Sequence, residues 1–137
     1  LMAALEVAVL RGADVQVLVP AKGDLPMVAA AMRSYYPDLL EAGVRIFEYG
    51  PPELHAKTLV VDDILALVGT ANADNRSFRL NFEVVAASYE AQACELLCQR
   101  FEADLERARE VSADTVAETG WAKQLGQNVA RLFAPVL

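Results

Sequence analysis

The chain has 137 residues, of which 55% are hydrophobic, and it carries a formal net charge of −7 with a pI near 4.6. That length fits one domain with a sizeable core. The acidic balance argues against broad electrostatic attraction to nucleic acid or anionic lipid, though it leaves room for a small cationic pocket.

No run of eighteen apolar residues occurs, so the sequence carries no transmembrane-helix signal. The apolar opening, Leu1 to Leu10, contains Glu6 and lacks a basic start, which fits a signal peptide poorly. Leucine at position 1 suggests a domain cut from a longer protein. Met2 to Arg11 has helical spacing with Gly12 as its stop. Val15 to Val19 reads as a strand ended by Pro20. Asp24 is a helix cap before a helix that starts near Leu25 and breaks before Pro37. A short helix over Asp38 to Ala42 stops at Gly43, and Val44 to Tyr49 is the next strand. Gly50-Pro51-Pro52 is a rigid turn. Two apolar runs follow, Leu54 to Val61 and Ile64 to Val68, joined by Asp62-Asp63 as a hairpin turn. Phe82 to Tyr89 reads as a strand, Ala91 to Arg109 as an amphipathic helix, and Trp121 to Phe133 as a last helix. Alternating helices and strands followed by a hairpin predict an α/β sandwich with a mixed central sheet flanked by helices, one domain over residues 1–137.

Cys94 and Cys98 lie four apart in a helical pattern. That spacing suits reduced, buried thiols better than a disulfide or half of a zinc site. The closing run Leu125 to Leu137, with Val129, Leu132, Phe133 and Val136, covers its own domain, docks on another one or lies at a membrane surface. Lys123 and Arg131 alone make a thin lipid-binding stripe.

Chemistry concentrates in His55-Ala56-Lys57-Thr58-Leu59-Val60-Val61-Asp62, followed by Gly69-Thr70-Ala71-Asn72. His55 is the only histidine of the chain. On a strand, His55 and Lys57 share a face and aim an imidazole and an ammonium at one target. Taken alone, His55 is a core or surface histidine, Lys57 a strand-edge lysine and Asn72 a turn residue. Together they supply a proton carrier, a fixed cation and a neutral donor, which suits a phosphodiester.

The pattern resembles the H-x-K-x-x-x-x-D motif of the phospholipase D superfamily, with its following G-S/T-x-N. His55, Lys57 and Asp62 match in type and spacing, as do Gly69, Thr70 and Asn72. Ala71 to Glu83, Leu10 to Val15 and Leu40 to Val44 look like the bacterial cardiolipin synthase branch. The likeness covers nearly the whole chain, as the second half of such an enzyme. The resemblance implies the phospholipase D-like fold and a two-step, metal-free and cofactor-free phosphatidyl transfer through a phosphohistidine. Lys57, Thr70 and Asn72 would bind the substrate phosphate. His55 would be general acid, then base. In the family a downstream carboxylate orients a catalytic imidazole, and Glu83 matches its location; a solvated strand residue is the plain alternative. Asp62 belongs to the catalytic motif, yet its place at a hairpin turn favours a carboxylate that organises the strands. Arg76 and Arg79 flank the motif, and pairing with Asp74 or Glu83 is their favoured reading.

One histidine is half of a two-histidine machine. The other half comes from the same parent chain or from a second copy in a homodimer. The resemblance implies phosphatidylglycerol as the phospholipid substrate, no nucleic acid partner, and a parent enzyme at the bacterial inner membrane with a cytoplasmic active site, this piece being soluble. Hydrolysis by a phospholipase D-type phosphodiesterase is the next reading. A nuclease fits the acidic charge less well, and a noncatalytic interaction domain fits an intact motif less well.

Overall fold

The computed structural model describes residues 1–23, 25–51 and 54–133. In chain order these form α1 (Met2–Leu10), β1 (Gln16–Pro20), α2 (Pro26–Arg33), α3 (Tyr36–Glu41), β2 (Arg45–Tyr49), β3 (Thr58–Val61), β4 (Leu65–Gly69), α4 (Asn75–Arg79), β5 (Val85–Ser88), α5 (Ala91–Leu105), β6 (Ala108–Val111), α6 (Ala113–Ala117) and α7 (Trp121–Phe133). The α/β architecture read from the sequence is present. Its strands form two three-stranded sheets, β1-β2-β6 and β3-β4-β5.

The first sheet is mixed. β1 runs parallel to β2, with Val17 opposite Ile46, and β6 is antiparallel to β2, with Arg109 opposite Glu48. Parallel neighbours need a crossover, which α2 and α3 provide. The core forms over this sheet. Tyr36, Leu39, Val44, Ile46 and Val111 are buried together, and Met2, Leu5 and Val9 of α1 close over them. α2 packs on α7, and α5 reaches strands of both sheets.

Glu48 lies on the same side of β2 as Ile46, 7% exposed, and its charge is fully engaged. Arg33 Nε donates to one carboxylate oxygen at 3.0 Å, Tyr36 Oη to the same oxygen at 3.2 Å, and Arg109 Nη2 to the other at 2.8 Å. Burial would raise the Glu48 pKa, but the hydrogen bonds from Arg109 and Arg33 outweigh it and hold the carboxyl below its ordinary range. Burial, reinforced by the Glu48 charge, pushes the Tyr36 phenol well above its usual value. The network joins α2, α3, β2 and β6 through one side chain.

The second sheet is antiparallel, with Leu59 opposite Leu67 and Leu67 opposite Ala87. This register puts Leu59, Val61, Leu65, Leu67, Val85 and Ala87 on one face. An antiparallel sheet with a solvated face ordinarily alternates apolar and polar residues. Here that face is apolar throughout, yet Leu59, Val61 and Val85 are 48%, 43% and 50% exposed. Cys94 is buried, Cys98 half-buried, and both thiols are free.

Several boundaries differ from the sequence reading. β3 begins at Thr58, so His55 and Lys57 lie before the strand and do not share a strand face. The reason is the ladder: Gly69 N–H bonds Lys57 C=O at 3.0 Å, and the next amide, Thr70 N–H, turns to Val84 C=O on the other side. Among the described residues, no ladder bond precedes the Lys57–Gly69 one. The strand read over Phe82 to Tyr89 shrinks to Val85–Ser88. α5 ends at Leu105, because the following residues pair with β2 as strand β6, which periodicity alone does not reveal. The short helices α4 and α6 were also not anticipated. The cap assigned to Asp24, the Pro52 end of the turn and the last four residues, 134–137, lie outside the described residues.

Candidate active site

Lys57, Gly69 and Thr70 of the motif meet at one end of the β3-β4-β5 sheet. Thr58 pairs with Val68, and Gly69 with Val85. Continuing this register brings Lys57, Gly69-Thr70 and Glu83-Val84 side by side. Lys57 C=O accepts from Gly69 N–H at 3.0 Å, and Thr70 N–H donates to Val84 C=O at 3.0 Å. Gly69 is required by this closeness. A Cβ there would stand 2.5 Å from the Val84 carbonyl oxygen and 2.9 Å from Val85 Cγ2. The glycine that opens the second part of the motif lets two strand ends approach far enough for Thr70 to reach Glu83.

Glu83 is the best-anchored polar group of the site. Thr70 Oγ1 donates to one carboxylate oxygen at 2.5 Å; Ser77 Oγ donates to the other at 2.8 Å, with Asn81 Nδ2 at 3.4 Å. These donors, Thr70 foremost and then Ser77, lower the Glu83 pKa, and the Lys57 ammonium adds to the effect. Glu83 is thus a fixed carboxylate and not a freely solvated strand residue. Thr70 Oγ1 in turn accepts from Val84 N–H at 3.1 Å. Its proton is therefore committed to Glu83 in this arrangement, since a hydroxyl has one to give.

Ser77 was not singled out by the sequence reading. It is 7% exposed and belongs to α4, whose N-cap Asp74 accepts Ser77 N–H at 2.7 Å. Its hydroxyl also accepts Asn72 N–H at 3.1 Å. The sequence held a partial signal: Asp74 is a favoured N-cap residue, which marks a helix start but not the role of Ser77.

The remaining motif residues are less constrained. His55 and Asn72 are exposed, and Lys57 is half-buried with Nζ donating to His55 C=O at 2.8 Å. Asp62 stands in the hairpin turn at the far end of β3, with φ of 46°. Four strand residues at about 3.3 Å each separate it from Lys57. The structure brings Lys57, Thr70 and Glu83 together and leaves Asp62 apart. Arg76 and Arg79 are exposed. Asp74 is engaged with Ser77 and Glu83 with its hydroxyl donors, and neither forms an ion pair with those arginines among the described residues.

Among the described residues, no group of three or more His, Cys, Asp and Glu side chains is placed to hold a metal ion. No helix among them is long and apolar enough to cross a membrane.

The arrangement of sheets and helices defines a phospholipase D-like domain. A solved phospholipase D family member, Nuc from Salmonella typhimurium, superposes with a TM-score of 0.65 at 19% identity, over 82% of this chain and 73% of that one. A family model described as the cardiolipin synthase, PLD-like domain matches residues 1–105. Cardiolipin synthase A of Pseudomonas entomophila is 42% identical over 137 residues, all of this chain and 29% of that protein. Cardiolipin synthase 2 of Bacillus anthracis is 44% identical over 137 residues, again all of this chain and 27% of its own length. The chain belongs to the PLD-like cardiolipin synthase family. It spans less than a third of the length of these curated relatives.

Proposed function

We propose that this domain is the second catalytic half of a cardiolipin synthase and moves a phosphatidyl group from one phosphatidylglycerol to the hydroxyl of another, releasing glycerol. The observation that carries the reading is the similarity to cardiolipin synthases along all 137 residues, with the motif intact within it. The anchored Glu83 beside Lys57 is the arrangement such chemistry would use.

A phosphodiester resists attack because it is anionic and its leaving alkoxide is poor. In the proposed first step, a histidine of the other half attacks phosphorus. A P–N bond forms, the P–O bond to glycerol breaks, and His55 gives its proton to the departing oxygen. In the second step the hydroxyl of another phosphatidylglycerol attacks phosphorus and loses its proton to His55, and the P–N bond breaks. Lys57 and Asn72 hold the phosphoryl oxygens while charge builds on them. Glu83 orients an imidazole and stabilises its protonated form. Thr70 joins the phosphate site through its bond to Glu83, and Asp62 shapes the β3–β4 turn. The other half lies in the longer parent chain, which works at the inner membrane with its site on the cytoplasmic side; a second copy of the domain would supply the same groups.

The test is to incubate the full-length parent with labelled phosphatidylglycerol and separate the products. Cardiolipin with released glycerol supports transfer, whereas phosphatidic acid alone makes water the acceptor and the enzyme a hydrolytic phospholipase D. His55→Ala should lower turnover by about 10³-fold, within the range for loss of a general acid–base. Wild-type turnover in that variant removes His55 from the mechanism.

A further inference from the structure

We infer that Ser77 is a positioning residue of this site, a hydroxyl that sets the Glu83 carboxylate and the Asn72 backbone relative to one another. The inference rests on the catalytic reading above, but its geometry stands independently. Ser77 Oγ gives its single proton to Glu83 at 2.8 Å and accepts Asn72 N–H at 3.1 Å, while its own N–H is fixed by Asp74 at 2.7 Å. Asn72 and Glu83 are eleven residues apart in the chain, and this one oxygen bonds both. The two roles then share a fixed reference: an amide donor for the phosphate on one side and a carboxylate for the imidazole on the other.

The linkage has little redundancy. Without the hydroxyl, that Glu83 oxygen keeps, among the described residues, only Asn81 at 3.4 Å, a weak bond, and Asn72 N–H loses its acceptor there. Thr70 would still hold the other carboxylate oxygen, so the carboxylate would pivot about Thr70 and not detach. Ser77 itself is 7% exposed, so its hydroxyl is largely shielded from solvent.

The experiment compares Ser77→Ala and Ser77→Thr. In the full-length parent, Ser77→Ala should lower kcat by about 10- to 100-fold, the scale of a small misplacement of a reacting group, with KM nearly unchanged. Ser77→Thr keeps the hydroxyl and should restore most of kcat, after correction for folded fraction by circular dichroism. In parallel, the Glu83 carboxyl carbon is titrated by NMR in this chain. Ser77→Ala should move its midpoint upward, since a donor to the charged form is gone; a merely structural serine would lower the melting temperature and leave this midpoint alone. An unmoved Glu83 midpoint overturns the inference, as does equal loss of kcat in both variants once folding is accounted for. If the wild-type parent transfers no phosphatidyl group but the midpoint still moves, the positioning of Glu83 by Ser77 holds and the transferase reading fails.

Discussion

Gly69→Ala gives a test in which the sign of the effect decides. Gly69 has no positive φ, so alanine could adopt its backbone conformation. Were the surroundings open, the substitution would stabilise the fold by about 0.4–1 kcal/mol, through lower entropy of the unfolded chain. The surroundings are closed: the added Cβ would sit 2.5 Å from the Val84 oxygen and 3.0 Å from Val85 Cα, both backbone atoms. A comfortable C···O approach is about 3.3 Å, so β5 must retreat by roughly 0.8 Å. Overpacking of this kind costs about 1–3 kcal/mol. The retreat also stretches the Thr70–Val84 bond, worth about 1 kcal/mol. After the entropy gain, the net loss is about 1–3 kcal/mol. At about 2.1 cal/mol/K of unfolding entropy per residue, a 2 kcal/mol loss lowers the melting temperature of this chain by about 7 °C. Gly126→Ala is the matched control: its Cβ meets nothing within 4 Å in α7, and helix propensity predicts a gain of about 0.5–1 kcal/mol. Thermal unfolding of both variants by circular dichroism measures the contrast. A Gly69→Ala variant as stable as the parent or more so would refute the close approach of the two strands.

The Glu48 network and the Thr70 hydroxyl give two further tests. Glu48→Gln should cost about 2 kcal/mol, because charge-assisted bonds from two arginines are weakened while those arginines keep partial access to solvent. Glu48 has a lowered pKa, so its stabilisation is complete above the ordinary carboxylate range and is lost as pH falls through the folded value. Urea midpoints followed into that acidic window should fall more steeply for the wild type than for Glu48→Gln, and parallel curves would contradict the network. Thr70→Val removes the foremost donor to Glu83 with little change of shape. It should raise the Glu83 titration midpoint in NMR; an unchanged midpoint would remove Thr70 as the main cause of the shift.

Much of the architecture was legible because local chemistry and tertiary pairing agreed. Gly12 and Gly43 end helices where the pattern expected them, and Asp62-Asp63 turns the β3–β4 hairpin. β6 was hidden for a physical reason. Its Arg109 looks like the outer face of a helix until its partner is known: Arg109 bonds Glu48 across the strand pair, and the next residue, Glu110, bonds Arg45. Neither partner is local in sequence. The reach of β3 toward His55 was overestimated for a related reason. An apolar run shows that a strand can form, but only the partner strand decides where it stops, and among the described residues β4 makes no ladder bond beyond the Gly69–Lys57 pair. At the site, residue types and spacings pointed to His55, Lys57, Thr70 and Asn72 as candidates, and the family resemblance added Glu83. What they could not give was the hydrogen-bond order through Thr70 and Ser77, because Ser77 becomes informative only once α4 folds it beneath Glu83.

The two sides of the site are prepared to different degrees, and that difference has a mechanical consequence. Glu83 accepts from three donors, Thr70 just after β4, Ser77 in α4 and Asn81 before β5, so its orientation is fixed within the domain. The His55 side is exposed and precedes the strand, and the Lys57 ammonium turns onto the His55 carbonyl. On the proposed mechanism, a carboxylate that serves an imidazole of the opposing half gains from being aimed before that half arrives. On the proposed mechanism His55 and Lys57 would act on a phosphate, and the anionic phosphodiester would itself draw the ammonium away from a neutral carbonyl. On that mechanism, the hydrogen-bonded side of the site would face protein and the exposed side would face substrate. The division follows from sequence: Gly69, Thr70 and Ser77 fix the first, while the short reach of β3 frees the second.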